Sequence, residues 1–214
     1  MATDIVYTRD RLASVFGALK EKFGWRNPMQ VPRLVKVIIS VGVGSFKDKK
    51  KFEVVEDRLA KITGQKAAPR PAKKSIASFK SREGETVGYQ VTLRGKRMLF
   101  FLDRLLLIGF PRTKDFRGLS RRGVDAMGNA TFGIREHLIF PETADEDLKD
   151  VFGLGITVVT TAKSREEAVA FFEHLGFPFR QAEPEAEKKE KRKRKRVRHK
   201  KEEGIPAPAP IPAA

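Results

Sequence analysis

Two short segments with a two-residue period constrain this chain most. In residues 33–41 (RLVKVIISV), Val35, Val37, Ile39 and Val41 fall on one side of an extended backbone, and Leu34, Lys36, Ile38 and Ser40 on the other. In residues 89–94 (YQVTLR), Tyr89, Val91 and Leu93 oppose Gln90, Thr92 and Arg94. Strands with one apolar and one mixed face belong in a sheet covered on one side only. The covering elements are legible as well. Leu12, Val15, Phe16, Leu19 and Phe23 recur at spacings of three and four, which predicts an amphipathic helix stopped by Gly24. Phe52, Val55, Leu59 and Ile62 predict a second helix, capped by Gly64. Residues 96–108 (KRMLFFLDRLLLI) are too apolar for an exposed helix and are expected to form the central buried one. Two more strands are expected around 130–136 and 154–161. Ser164 and Glu167 make a capping box for a last helix, with Ala168, Phe171, Phe172 and Leu175 as its core face and Gly176 as its end.

Helices and strands do not strictly alternate in this order, which argues against a doubly wound parallel sheet. The expected fold is α+β: a two-layer sandwich of a mostly antiparallel sheet, with helices packed on one face and the other face open. Lys36, Ser40, Gln90, Thr92 and Arg94 would stand on that open face. Hydroxyls and amides bond riboses and base edges, while Lys and Arg meet phosphates, so such a face suits RNA. An ordinary solvated face explains the same pattern.

Charge favours the first reading. The chain carries 44 Lys+Arg against 27 Asp+Glu, a formal net charge of +17 and a pI near 10.2. A polyanion is the first partner to consider, with nucleic acid and anionic membrane both open on charge alone. Residues 1–180, expected to be a single domain, hold 33 Lys/Arg and 21 Asp/Glu, so they are basic without the tail. Residues 181–214 form a separate segment, basic from Lys188 to Lys201 and Pro/Ala-rich from Gly204 on. Such a composition buries too little apolar surface to offset chain entropy, so a disordered basic tail is expected. Its basic run suits RNA, DNA or a localisation role. Residues 66–82 (KAAPRPAKKSIASFKSR) carry Lys66, Arg70, Lys73, Lys74, Lys80 and Arg82 without an acid, interleaved with Ile76 and Phe79. A long loop or loose hairpin is expected there. It would suit an irregular RNA surface, with affinity from counterion release, or serve merely as a charged solvated loop.

Other classes find little support. There is no run of eighteen apolar residues, so no transmembrane helix is expected. The first apolar residues are broken up by Asp4, Arg9, Asp10 and Arg11, unlike a signal region. The basic tail lacks the apolar face of an interfacial helix, so no membrane role is expected. With no cysteine there is no disulfide, thiolate zinc site or cysteine nucleophile, a composition that fits a reducing compartment. Gly42-Val43-Gly44 follows a strand, but the third glycine of a dinucleotide fingerprint would fall at Lys47, so a tight strand-to-helix turn is the better reading. His137, His174 and His199 match no metal-ligand spacing, and His174 is expected on the surface. Asp145, Glu146 and Asp147 are explained by a polar helix start. No enzymatic activity, cofactor, metal or small-molecule substrate is expected.

A series of short stretches sharpens this picture. In order they are Met29–Arg33 (MQVPR), Ile62–Lys66 (ITGQK), Lys73–Lys80 (KKSIASFK), Val91–Gly95 (VTLRG), Pro111–Gly118 (PRTKDFRG), Gly128-Asn129, Phe140–Glu142 (FPE), Thr160–Ala162 (TTA) and Gly176–Arg180 (GFPFR). Together, over roughly residues 8–180, they resemble the bacterial large-subunit ribosomal protein five family, which binds 5S ribosomal RNA. The resemblance implies a structural, non-enzymatic role in the central protuberance of the large subunit, with the sheet face opposite the helices meeting RNA. Family contacts carry over to Gln65 and Thr92; a third, typically Asn, is Ser40 here. With the open-face residues, the implied 5S rRNA-binding set is Arg33, Lys36, Ser40, Gln65, Gln90, Thr92 and Arg94. The family's basic loop, which approaches the peptidyl-site tRNA, maps onto Lys73, Lys74, Ser75, Lys80 and Arg82. Its bridge to small-subunit head protein thirteen maps around residues 112–118 and 133–146, with Arg112, Lys114, Asp115 and Arg117 as contacts. The implied partners are 5S rRNA, 23S rRNA, P-site tRNA, neighbouring 5S-binding proteins and protein thirteen, on the ribosome in the cytoplasm. Two stretches depart from the family pattern. Gly153-Leu154-Gly155-Ile156 lacks the usual Asp at its third position, a change expected to bear on a turn before the last strand. Phe-Asp-Gly appears as Val124-Asp125-Ala126. Most members stop near Arg180, so the tail points to an added RNA or ribosome contact. The competing class is a general basic RNA or DNA chaperone, which would bind 5S and unrelated RNA equally well.

Overall fold

The two period-two segments become neighbours in one sheet. The computed structural model describes residues 7–44, 46, 49–79, 81–143 and 151–180. Along the chain run α1 (Thr8–Phe23), β1 (Leu34–Gly42), α2 (Lys49–Thr63), β2 (Ala68–Pro71), β3 (Thr86–Leu93) and α3 (Gly95–Arg104). After them come the short α4 (Phe110–Arg112), β4 (Ala130–Ile134), β5 (Leu154–Thr160) and α5 (Arg165–His174). The sheet has five strands in the order β2-β3-β1-β5-β4, and every neighbouring pair is antiparallel.

Hydrophobic burial sets the register. Val37, Ile39 and Val41 of β1 pair with Leu93, Val91 and Tyr89 of β3, and Val37 and Ile39 also pair with Val158 and Ile156 of β5. All eight are buried, and the helices bring Val15, Leu59, Ile62, Phe101, Leu105 and Phe171 into the same core. A one-residue slip of β1 would turn its own inward residues, Val37, Ile39 and Val41, to solvent. Each large side chain among them contributes about 1.5–3 kcal/mol through burial. The fold is therefore the expected α+β sandwich with helices on one face of an antiparallel sheet.

Several local expectations are corrected. Val35, expected on the core face, is exposed. Leu34 pairs with Thr160 and Lys36 with Val159, so Val35 is the extra residue of a bulge and the inward alternation begins only after it. Of the two expectations for residues 66–86, a long loop or a loose hairpin, the hairpin holds. β2 pairs with β3, the Ala72 N–H donates to Glu85 O at 2.8 Å, and Ile76 and Ser81 exchange two backbone bonds at 3.1 and 3.3 Å. β2, at one edge of the sheet, contains Pro69 and Pro71.

The helix expected over 96–108 is not buried all round. Met98, Phe101, Leu102 and Leu105 face the core, but Phe100 is 64% exposed, Leu107 39% and Ile108 38%. Its second half is a wide π turn, Leu105–Gly109, in which the Phe110 N–H reaches back to Leu105 O. Pro111, inside α4, has no N–H to give and its ring crowds the turn behind it; the wider turn accommodates both. The last helix is half of a capping box. Ser164 Oγ accepts from the Glu167 N–H at 3.3 Å, while Glu167 accepts from the Lys163 N–H at 2.9 Å instead of reaching Ser164. His174 is not a free surface residue: its Nε2 lies 2.9 Å from Ser14 Oγ and 3.1 Å from Arg11 O, tying α5 to α1. His137 is fully buried and stacks on Phe152 with ring centroids 4.1 Å apart. Among the described residues no helix is long and apolar enough to cross a membrane. Asp145, Glu146, Asp147 and the tail from residue 181 lie outside the described residues.

Candidate nucleic-acid interface

The face away from the helices is organised in rows, because residues opposite one another in an antiparallel pair share a face. One row reads Ala68, Gln90, Ser40, Gly155, Gly133 across all five strands. The next reads Thr92, Ile38, Thr157, Thr131. The third holds Lys36 opposite Val159. Ser40 Oγ donates to Gly155 O at 3.3 Å, and the hydroxyls of Thr131 and Thr157 are 3.1 Å apart. The structure thus brings Lys36, Ser40, Gln90 and Thr92 together as expected and adds Thr131 and Thr157. The alternation of Leu154, Ile156 and Val158 with Gly155, Thr157 and Val159 was available in the sequence; the placement of β5 beside β1 was not. Gly155 lies within β5, not in a turn before it, so the family departures at positions 40 and 155 face each other across one strand pair.

Gln65, Arg94 and Arg33 surround the rows. Gln65 follows the end of α2 and reaches under the last residues of β3. In the amide orientation that satisfies both ends, its nitrogen donates to Thr92 O at 3.2 Å and its oxygen accepts from the Arg97 guanidinium at 3.0 Å. Arg94 lies one residue beyond β3, but its φ of −139° and ψ of 161° carry the extended alternation onward and keep it on the Thr92 side. Arg94, Lys96 and Arg97 are all exposed at the N-terminal turn of α3. That end of a helix favours anions, so three cations there gain from a phosphate neighbour. Sequence reading missed Arg97, although basic residues at the wrong end of a predicted helix are a usable signal. Arg33 is exposed at the start of β1, its backbone locked to Thr161 by bonds of 2.8 and 3.0 Å.

The hairpin between β2 and β3 forms a second basic surface. Lys73, Lys74, Ser75 and Phe79 are exposed, Phe79 by 76% at the tip. Arg82 is exposed beside them. Ser75 Oγ accepts the Glu83 N–H at 2.9 Å, so this hydroxyl also shapes the hairpin. Lys80 lies outside the described residues.

A third surface surrounds the end of α4. Arg112, Lys114, Asp115 and Arg117 stand here, while Phe116 turns inward and stacks on Phe110 at 5.2 Å. The segment is stitched to the end of the body: the Leu119 N–H donates to Pro178 O at 2.7 Å and the Arg180 N–H to Leu119 O at 2.8 Å. Phe110 also packs on Phe132, with centroids 5.7 Å apart, which places β4 beside this helix end. Residues 144–146 lie outside the described residues. Nearby, both oxygens of Asp125 accept from Asn129, at 2.7 Å from its N–H and 3.1 Å from its amide. Burial opposes ionisation of Asp125, but the bonds from Asn129 and from the Met127 backbone prevail and hold its carboxyl below the usual carboxylate range. The Asn129 side chain in turn accepts from the Thr160 N–H at 3.3 Å, linking this turn to β5.

Known proteins share this sequence over most of its length. A family model described as ribosomal protein L5 matches residues 27–82, and one for the C-terminus of the same ribosomal family matches residues 86–179. The chain is 46% identical to large ribosomal subunit protein uL5 of Sulfurimonas denitrificans over 172 residues, covering 80% of this chain and 95% of that relative. It is 51% identical to uL5 of Rubrobacter xylanophilus over 164 residues, 76% of this chain and 91% of that relative. It is 48% identical to uL5 of Streptomyces griseus over 168 residues, 78% of this chain and 91% of that relative. On these matches the chain belongs to the ribosomal protein L5 family, a non-enzymatic structural component of the large ribosomal subunit in translation.

Proposed function

We propose that the open sheet face binds 5S ribosomal RNA and helps attach it in the central protuberance of the large subunit. The observation that carries this reading is the strand register. It sets Lys36, Ser40, Gln90 and Thr92 side by side on the helix-free face, with Gln65 joined to Thr92. Arg33, Lys36 and Arg94 meet phosphates at one end of the face. Ser40, Gln65, Gln90 and Thr92 take ribose hydroxyls and base edges. The minor groove of A-form RNA is wide and shallow and displays 2′-hydroxyls, which a flat row of short polar side chains can approach. The hairpin residues Lys73, Lys74, Ser75, Lys80 and Arg82 contact P-site tRNA. Arg112, Lys114, Asp115 and Arg117 bridge to small-subunit head protein thirteen. 23S rRNA and the neighbouring 5S-binding proteins complete the partners, on the ribosome in the cytoplasm, and the basic run of the tail adds a further ribosomal contact.

The test is a salt titration of the full chain on 5S RNA, with a length-matched unrelated RNA as competitor. The expected result is a clear preference for 5S RNA, with Thr92→Ala and Gln65→Ala each weakening it while the fold is kept. Equal affinity for the two RNAs would overturn the reading in favour of a general polyanion chaperone.

A further inference from the structure

The row across the open face contains two glycines that differ in one respect. Gly133, on β4, has nothing within 4 Å of where a Cβ would stand. Gly155, on β5 beside Ser40, does not have that room: a Cβ there would lie 2.9 Å from Ser40 Oγ. Real Cβ atoms do not approach so closely, so the serine hydroxyl would have to move. Backbone conformation does not call for glycine at 155, since its φ is not positive. What the bare backbone provides is a seat. Ser40 Oγ rests over it and donates to Gly155 O at 3.3 Å.

We infer that Gly155 is a positioning residue of the RNA-binding face, holding the Ser40 hydroxyl in one orientation and leaving a notch through which RNA reaches it. The inference rests on the reading of this face as the 5S RNA site. With its proton committed to Gly155 O, Ser40 turns lone pairs outward and acts as an acceptor. The matching RNA group is a donor, a ribose 2′-hydroxyl or a base amino group. A side chain at 155 swings the hydroxyl to another rotamer and fills the notch. One rotatable bond absorbs that change, so the fold is kept while the acceptor is lost.

The test compares the full-length parent with Ser40→Ala, Gly155→Ala and the double variant, by filter binding to 5S RNA and by thermal melting. Ser40→Ala should lose affinity about three- to ten-fold, the size of one hydrogen bond. Gly155→Ala should lose a similar amount. The double variant should bind no worse than Ser40→Ala alone, because the atom that the new methyl displaces is gone. Should Gly155→Ala melt early, all variants are compared at a temperature at which each is folded. A Gly155→Ala protein that binds normally while Ser40→Ala is weakened overturns this inference alone. Losses that multiply in the double variant overturn it too, since Gly155 would then act without Ser40. Unchanged binding by Ser40→Ala overturns both this inference and the role of Ser40 beneath it.

Discussion

Gly118→Ala should destabilise this protein far more than its loop position implies. Gly118 has φ of 88°, a conformation that costs a residue with a side chain about 1–2 kcal/mol. The new Cβ would also lie 2.8 Å from Arg180 N, 3.0 Å from Arg180 Cα and 3.1 Å from Phe179 C. All three are backbone atoms, so no side-chain rotation relieves the contact. The segments of chain around 118 and 180 must part, which takes with it the Leu119–Pro178 and Arg180–Leu119 hydrogen bonds. At about 0.5–1.5 kcal/mol for each bond, with the conformational cost added, the loss is about 2–5 kcal/mol. Urea unfolding should show a lower midpoint with an unchanged slope. Hydrogen exchange should show the Leu119 and Arg180 amides losing protection together. Gly84→Ala is the control. Its φ is 82° but a Cβ there would meet nothing within 4 Å, so it reports the conformational cost by itself. If Gly118→Ala stays within about 0.5 kcal/mol of the parent with both amides protected, the clash argument is refuted.

Three further outcomes are expected. The Asp125 carboxyl is held below its ordinary value, so its contribution is present above the unfolded carboxylate pKa and is lost as pH falls through the folded value; Asp125→Asn should flatten the acid limb of a stability-versus-pH curve. Burial, with the charges of Glu56 and Glu53, raises Tyr89 above its ordinary 10.0. That contribution is present below the ordinary value and is lost as pH rises through the folded one, so Tyr89→Phe should make the alkaline limb shallower in the same experiment. Neutralising Lys73, Lys74 and Lys80 together should spare 5S RNA affinity and weaken tRNA contacts in reconstituted ribosomes, as read by chemical footprinting; a mutant that instead loses only 5S RNA would reverse the assignment of the hairpin.

The fold was legible where burial dictated it. The inward sets of β1 and β3 follow from side-chain hydrophobicity alone, and so do the core faces of α1, α2 and α5. What escaped depended on geometry between segments. The Val35 bulge exists because β5 advances one residue while β1 advances two, a fact about pairing and not about either strand. The exposure of Phe100 and Leu107 follows from the direction in which α3 packs, which a strongly apolar segment does not reveal. In the site, Ser40, Thr92 and Gln90 were readable from alternation. Thr131 and Thr157 were not, because no local signal states that β4 and β5 extend the same face beyond β1. Gln65 meets both Arg97 and the carbonyl of Thr92, contacts that no spacing encodes. His174 shows the same limit: one polar residue on a helix has no sequence mark that it will find Ser14.

The two prolines of β2 matter most before assembly. A sheet edge offers unpaired N–H groups to any passing extended chain, and self-association by that route grows with concentration. Pro69 and Pro71 occupy the same alternate phase of a four-residue strand and have no N–H to offer, and the exposed Arg70 stands between them. The net charge of +17 adds mutual repulsion between copies. A newly made chain waiting for its RNA is thereby protected from its own kind along this edge. Valine at both positions would leave the sheet intact and make that edge a template for aggregation.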